Sequence, residues 1–166
     1  MTAGAAVSVS RKVRRGWAPT KRDFRLWADT ALGRLAAGRE ISVLLVDERR
    51  SRALNARYRG RDKSTNVLSF PAPPVAARSG GVLGDLVICP AVLSAEARAQ
   101  EKDVRAHWAH MVVHGLLHLL GYDHERRSDA QRMQRREVRV LRRLGIANPY
   151  VQRRRRKRGG PTHGEG

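Results

Sequence analysis

Apolar residues Phe24, Trp27, Ala28, Ala31, Leu32 and Leu35 recur at helical spacing between Lys21 and Ala37. That period predicts an amphipathic helix, with Thr20 as its N-cap and Gly38 ending the run. Upstream, Val7-Ser-Val-Ser10 alternates and reads as a first strand. Ile41 to Val46 is a short apolar run rich in β-branched residues and reads as a second. Asp47 caps a helix reaching about Tyr58, with Leu54 on its inner face. Asn66 to Phe70 is a strand stopped by Pro71, and Val82 to Cys89 is another, with Gly84 at a bulge. Pro90 opens a helix to about Gln100. A long helix follows from about Asp103 to Leu120, and Ser128 caps a last one to about Leu144, with Met133, Val138 and Leu141 on its apolar side.

Strands clustered between helices in irregular order predict an α+β domain, a small mixed sheet of about four strands packed with about five helices. At 166 residues the chain is one domain by length, placed at residues 1–150. The Pro-, Ala-, Ser- and Gly-rich stretch 71–81 reads as an exposed loop. Residues 151–166 cannot bury apolar surface and are expected to form a basic, disordered tail.

Charge changes the picture. The net charge is +19, and the last sixteen residues account for only part of it. They hold six of the 34 basic and one of the 15 acidic groups, leaving 28 against 14, or +14, in residues 1–150. Arg outnumbers Lys 29 to 5, and codon bias accounts for Arg replacing Lys but not for cations exceeding anions. The excess points to a polyanionic partner, nucleic acid first. Arg153, Arg154, Arg155, Arg156, Lys157 and Arg158 are candidate RNA contacts in the tail. Cys89 is the single cysteine, so no internal disulfide framework exists and a reducing cytoplasm is the expected compartment. No apolar stretch approaches the ~20 residues of a membrane span, and no membrane partner is expected.

Five of the six histidines fall between residues 107 and 124. His114-Gly-Leu-Leu-His118-Leu-Leu-Gly121-Tyr-Asp-His124 has the spacing H-x-x-x-H-x-x-G-x-x-H. Residues four apart on a helix project as neighbours from one face. Gly121 can end the helix in a left-handed conformation, and His124 then closes a site from the side. Three imidazoles with a fourth position open are the pattern of a catalytic zinc centre, here one ion, whose water is acidified to a pKa near ~7. Zinc proteases of this spacing carry Glu directly after the first His as general base; here that residue is Gly115, which demotes peptide hydrolysis. His107 and His110 read as hydrogen-bonded surface groups or a cleft wall. Asp123 either orients an imidazole or caps the turn.

The 114–124 segment resembles the signature of the YbeY-type bacterial endoribonucleases. Three further segments agree in order: Leu54-Asn-Ala-Arg-Tyr-Arg59-Gly-Arg-Asp62, Thr65-Asn-Val-Leu-Ser-Phe-Pro71 and Leu83-Gly-Asp-Leu-Val-Ile-Cys-Pro90. Ala106-His-Trp-Ala-His-Met-Val-Val113 fits as well, so the likeness covers roughly residues 40–150. The resemblance implies a single-strand-selective, metal-dependent endoribonuclease of 16S ribosomal RNA 3′-end maturation and ribosome quality control. It implies that rRNA and ribosomal particles, the small subunit above all, are partners, that His114, His118 and His124 bind zinc, and that Arg59 contacts the scissile phosphate. Asn66 stands where the family often has Asp and reads as part of the strand's polar framework. The 153–158 run lies beyond the family pattern. Two competing readings remain: a non-catalytic ribosome-assembly RNA-binding factor with a structural metal, and a zinc peptidase.

Overall fold

The computed structural model describes residues 4–73, 81–123 and 125–151. The 153–158 basic run and His124 lie outside the described residues. Four strands form one mixed sheet in the order β1-β2-β4-β3, comprising β1 (Ala6–Arg11), β2 (Glu40–Leu45), β3 (Val67–Pro71) and β4 (Val82–Ile88). β1, β2 and β4 run parallel, and β3 pairs antiparallel with β4 at the edge. Among the described residues five helices accompany them: α1 (Lys21–Leu32), α2 (Glu48–Arg59), α3 (Pro90–Ala99), α4 (Val104–Leu119) and α5 (Arg127–Arg143). The α+β expectation holds in strand number, helix number and the mixed character of the sheet.

α1 starts where its capping chemistry dictates. The Thr20 hydroxyl accepts from Asp23 N at 3.2 Å, and the Asp23 carboxylate accepts from Thr20 N at 2.9 Å, a reciprocal capping box. The helix stops at Leu32, earlier than its apolar period suggests, and a 3₁₀ turn over Gly33–Ala36 completes the run. Other boundaries also differ. Pro71 lies inside β3 rather than beyond it, which an edge strand permits because its missing N–H faces away from the ladder. Ser128 does not cap α5; the N-cap is Arg126, without a side-chain hydrogen bond, and Ser128 falls in the first turn. The buried positions of α5 are Met133, Glu137, Val140 and Leu141, so a carboxylate occupies the apolar stripe and Val138 lies beside it.

The two sheet faces are unequal. On one, Val7, Ile41, Val43, Leu45, Leu86 and Ile88 join buried residues of α1, α4 and α5 in the main core, including Trp27, Trp108, Leu117 and Leu141. On the other, Val46, Leu68 and Val87 form a small cluster that Leu54 of α2 covers in part. α2 is fastened to the chain after it by polar groups. Ser51 Oγ donates to Thr65 O at 2.9 Å, Thr65 N donates back to Ser51 Oγ at 3.0 Å, and Asn55 Nδ2 donates to Lys63 O at 2.8 Å. Ser51 and Asn55 are therefore the buried positions of α2 and Leu54 is only half-buried.

Gly84 is a bulge, as its place in β4 implies. Glu40 faces Val82 and Ile41 faces Gly84, so one extra residue is inserted there. Its φ of 153° and the nearness of Phe70 O and Leu119 Cδ2 leave no room for a Cβ. The sheet and α4 meet closely at this point, which fixes α4 against the β3–β4 edge.

Candidate metal centre

α4 begins with Asp103, whose side chain accepts from Ala106 N at 2.9 Å, and buries Trp108, Ala109, Val112, Val113, Leu116 and Leu117. Gly115 is part of that buried side. A Cβ there would lie 2.9 Å from Leu86 Cδ2, 3.1 Å from Val67 Cγ1 and 3.2 Å from Ser69 Oγ. The position occupied by the general base in zinc proteases thus faces the sheet. Ser69 Oγ donates to Gly115 O at 3.1 Å, sealing the contact.

The helix ends in a Schellman motif. Tyr122 N donates to Leu117 O at 3.0 Å and Gly121 N to His118 O at 3.0 Å, with Gly121 at φ 96°. The turn has a chemical consequence, because the Tyr122 carbonyl it re-aims accepts from His118 Nδ1 at 2.9 Å. One turn earlier, His114 Nδ1 donates to Glu137 Oε1 at 2.5 Å. Both imidazoles are thereby held as Nδ1–H tautomers and present their Nε2 lone pairs, and the two Nε2 atoms face each other at 3.1 Å. Lone pairs at that distance repel unless a proton or a cation lies between them. Nδ1 bound to an acceptor with Nε2 turned inward is how imidazole ligands are oriented for a metal, and this donor chemistry fits zinc.

Glu137 is the residue that sequence reasoning missed. It is 0% exposed, yet three groups meet it. His114 reaches Oε1, while His110 Nε2, at 3.2 Å, and the Tyr150 hydroxyl reach Oε2. Burial pushes its carboxyl up, but the hydrogen bonds from His110, His114 and Tyr150 outweigh that and lower it to about 2. The Tyr150 phenol is pushed above its ordinary value by burial and by the neighbouring carboxylate. The available signal was an acid in the middle of the α5 apolar stripe, where an unpartnered charge is rarely tolerated.

The remaining expected site residues are distributed as follows. His107 is buried, not a surface group, and its Nε2 lies 3.1 Å from Glu96 Oε1; Asn66 Nδ2 donates to the same carboxylate at 3.1 Å. Asn66 therefore belongs to a polar framework, as its position suggested. His110 is nearly buried and also meets Tyr150 edge-on at 5.4 Å between ring centroids. Asp123 is exposed and accepts from Glu125 N at 3.2 Å. Among the described residues no three His, Cys, Asp or Glu side chains converge as a metal-holding group. His114 and His118 are together, and His124 lies outside the described residues.

Arg59 occupies the exposed last turn of α2, beside Tyr58, whose ring meets Phe70 at 5.1 Å. Gly60 stops the helix there in the left-handed conformation, φ 67°. Phe70 faces α2 and its neighbour Ser69 faces α4, so Arg59 and the histidines belong to opposite faces of the edge strand β3.

The sequence profile of the family described as endoribonuclease YbeY matches residues 16–145. The match begins upstream of the segments that suggested it and takes in α1. A protein from Thermotoga maritima, determined in solution, has the same fold with a TM-score of 0.54 at 21% identity, covering 88% of this chain and 99% of that one.

Proposed function

The chain belongs to the endoribonuclease YbeY family, and from that premise we propose that it cuts single-stranded RNA as a metal-dependent endoribonuclease. The proposed substrate is the 3′ end of 16S ribosomal RNA on the small subunit, with a second role in ribosome quality control. The observation that carries this reading is the His114–His118 pair, with each Nδ1 engaged and the Nε2 atoms 3.1 Å apart.

In this reading His114, His118 and His124 hold one zinc ion. When bound, the ion supplies Lewis acidity toward water and a phosphoryl oxygen. The chain's own residues do the rest. Glu137 accepts a hydrogen bond from Nδ1 of His114, and the Tyr122 carbonyl accepts one from Nδ1 of His118, so both rings are oriented with Nε2 toward the proposed ion. Arg59 presents a guanidinium fork to two oxygens of the scissile phosphodiester and offsets the charge that builds there. A strand crossing the open edge of β3 would bring the scissile phosphodiester between Arg59, reaching over from α2, and the histidines of α4. Asp123, which accepts from Glu125 N at 3.2 Å, braces the chain beyond α4. Residues 153–158 add phosphate contacts outside the site. Hydrolysis of peptides is disfavoured because position 115 points into the sheet and offers no place for the protease's base.

His114→Ala and Arg59→Ala variants should remain folded, by circular dichroism, and lose cleavage of a single-stranded RNA. Cleavage at the parent's rate by His114→Ala would overturn the assignment.

A further inference from the structure

The outward face of α5 carries an arginine stripe that the proposed site does not use. At 100° per residue, Arg132, Arg135, Arg136, Arg139, Arg142 and Arg143 fall within about 120° of one another, away from the buried arc of Met133, Glu137, Val140 and Leu141. The stripe is about 16 Å long. None of the six forms an ion pair with a described residue; the arginines that do, Arg52 and Arg105, lie elsewhere.

The arrangement works against the isolated helix. Arg132 has Arg135 and Arg136 as its neighbours three and four positions on, and Arg139 has those two behind it and Arg142 and Arg143 ahead. Like charges at these spacings repel and weaken a helix. A surface selected only for solubility intersperses both signs. Here Glu137 of the same helix is turned inward to His114, and the helix's other acid, Asp129, sits in its first turn, leaving the outer face from Arg132 to Arg143 to cations.

The stripe also starts at the site. Arg132 borders a shallow depression with Leu120, Gly121, Tyr122, Asp123 and Asp129, at the turn that leads to His124. We propose that the outward face of α5 is a binding track for the phosphates of the RNA strand, leading it from the metal centre along the helix. The inference rests on the RNA reading of the site and adds a surface to it. A polyanion laid on the stripe removes the arginine–arginine repulsion as it binds.

The test is the fourfold variant Arg132→Gln, Arg135→Gln, Arg139→Gln, Arg142→Gln, since glutamine keeps helix propensity. Binding of a fluorescent single-stranded RNA is followed by anisotropy over a salt series, in a His118→Ala background so that no cutting intervenes. The stripe variant should bind about tenfold or more weakly at low salt, with a log–log salt slope shallower by roughly 2–3. In the chain that retains His118, KM should rise while kcat holds. Without RNA, the variant should melt no lower than its parent, and added salt should stabilise it less. Unchanged affinity and slope would overturn the track. A parent that binds with a salt slope but does not cut would sink the nuclease reading instead, leaving the track to be judged on the slope. A parent that binds no RNA would end both.

Discussion

At the residue scale the centre depends on how one nitrogen of each imidazole is occupied. His114 gives its Nδ1 proton to Glu137, a carboxylate that burial would neutralise were it not held ionised by His110, His114 and Tyr150. Replacing Glu137 by Gln keeps the volume but removes the charge behind His114. Zinc affinity should fall about 10- to 100-fold, measured by competition with a chromophoric chelator, and unchanged affinity would contradict the positioning role. Gly115 makes a different point. Gly115→Ala forces a methyl against Leu86, Val67 and Ser69 and should destabilise the fold by about 1–3 kcal/mol, read as a lower melting temperature. The histidine spacing made two of the proposed ligands legible. Glu137 was hidden because a helical period identifies a buried position without saying which distant side chain makes a charge tolerable there.

At the scale of elements, the sequence was most readable where capping and turn chemistry are local. Thr20 at the start of α1 and Gly121 at the end of α4 behave as their residue types dictate. Ser128 does not serve as the cap: α5 starts two residues earlier than that role requires, at Arg127, with Arg126 as an N-cap that makes no side-chain hydrogen bond. The Asp23 carboxylate couples two elements. It closes the α1 capping box and meets Arg105 of α4 at 2.8 Å. Burial raises its pKa, but Arg105 and Thr20 together bring it below its ordinary 3.8. A carboxyl depressed in the folded state contributes stability above its unfolded pKa and loses it as pH falls through the folded value. Asp23→Asn should therefore lower the melting temperature at pH 7 and narrow the difference from the parent below about pH 4. A gap that stays constant down to pH 2 would contradict this coupling.

At the scale of the whole molecule, the fold sets the two parts of the proposed site on different faces of a small sheet. The main core fixes α4 and α5, and with them His114, His118 and Glu137, while a thin polar-fastened layer carries α2 and Arg59. The class and the count of elements followed from periodicity. Which face each helix covers did not, because strand order and crossovers are long-range properties that local patterns do not encode. That Arg59 lies across β3 from the histidines became visible only in the assembled sheet. The excess of positive charge was plain from composition, but its ordering into a track needed the register of α5.

The central claim is that this chain cuts RNA with a metal held by the histidines of α4 and the turn after it. Its most direct test is cleavage of a labelled single-stranded RNA by purified protein, stripped of metal by chelation and then restored with zinc, with circular dichroism recorded at each stage. The account predicts multiple turnovers that stop on chelation, return with zinc in the parent and fail to return in His114→Ala, while the fold persists throughout. Cleavage that survives complete metal removal, or a metal-loaded, folded parent that does not cut, would contradict it.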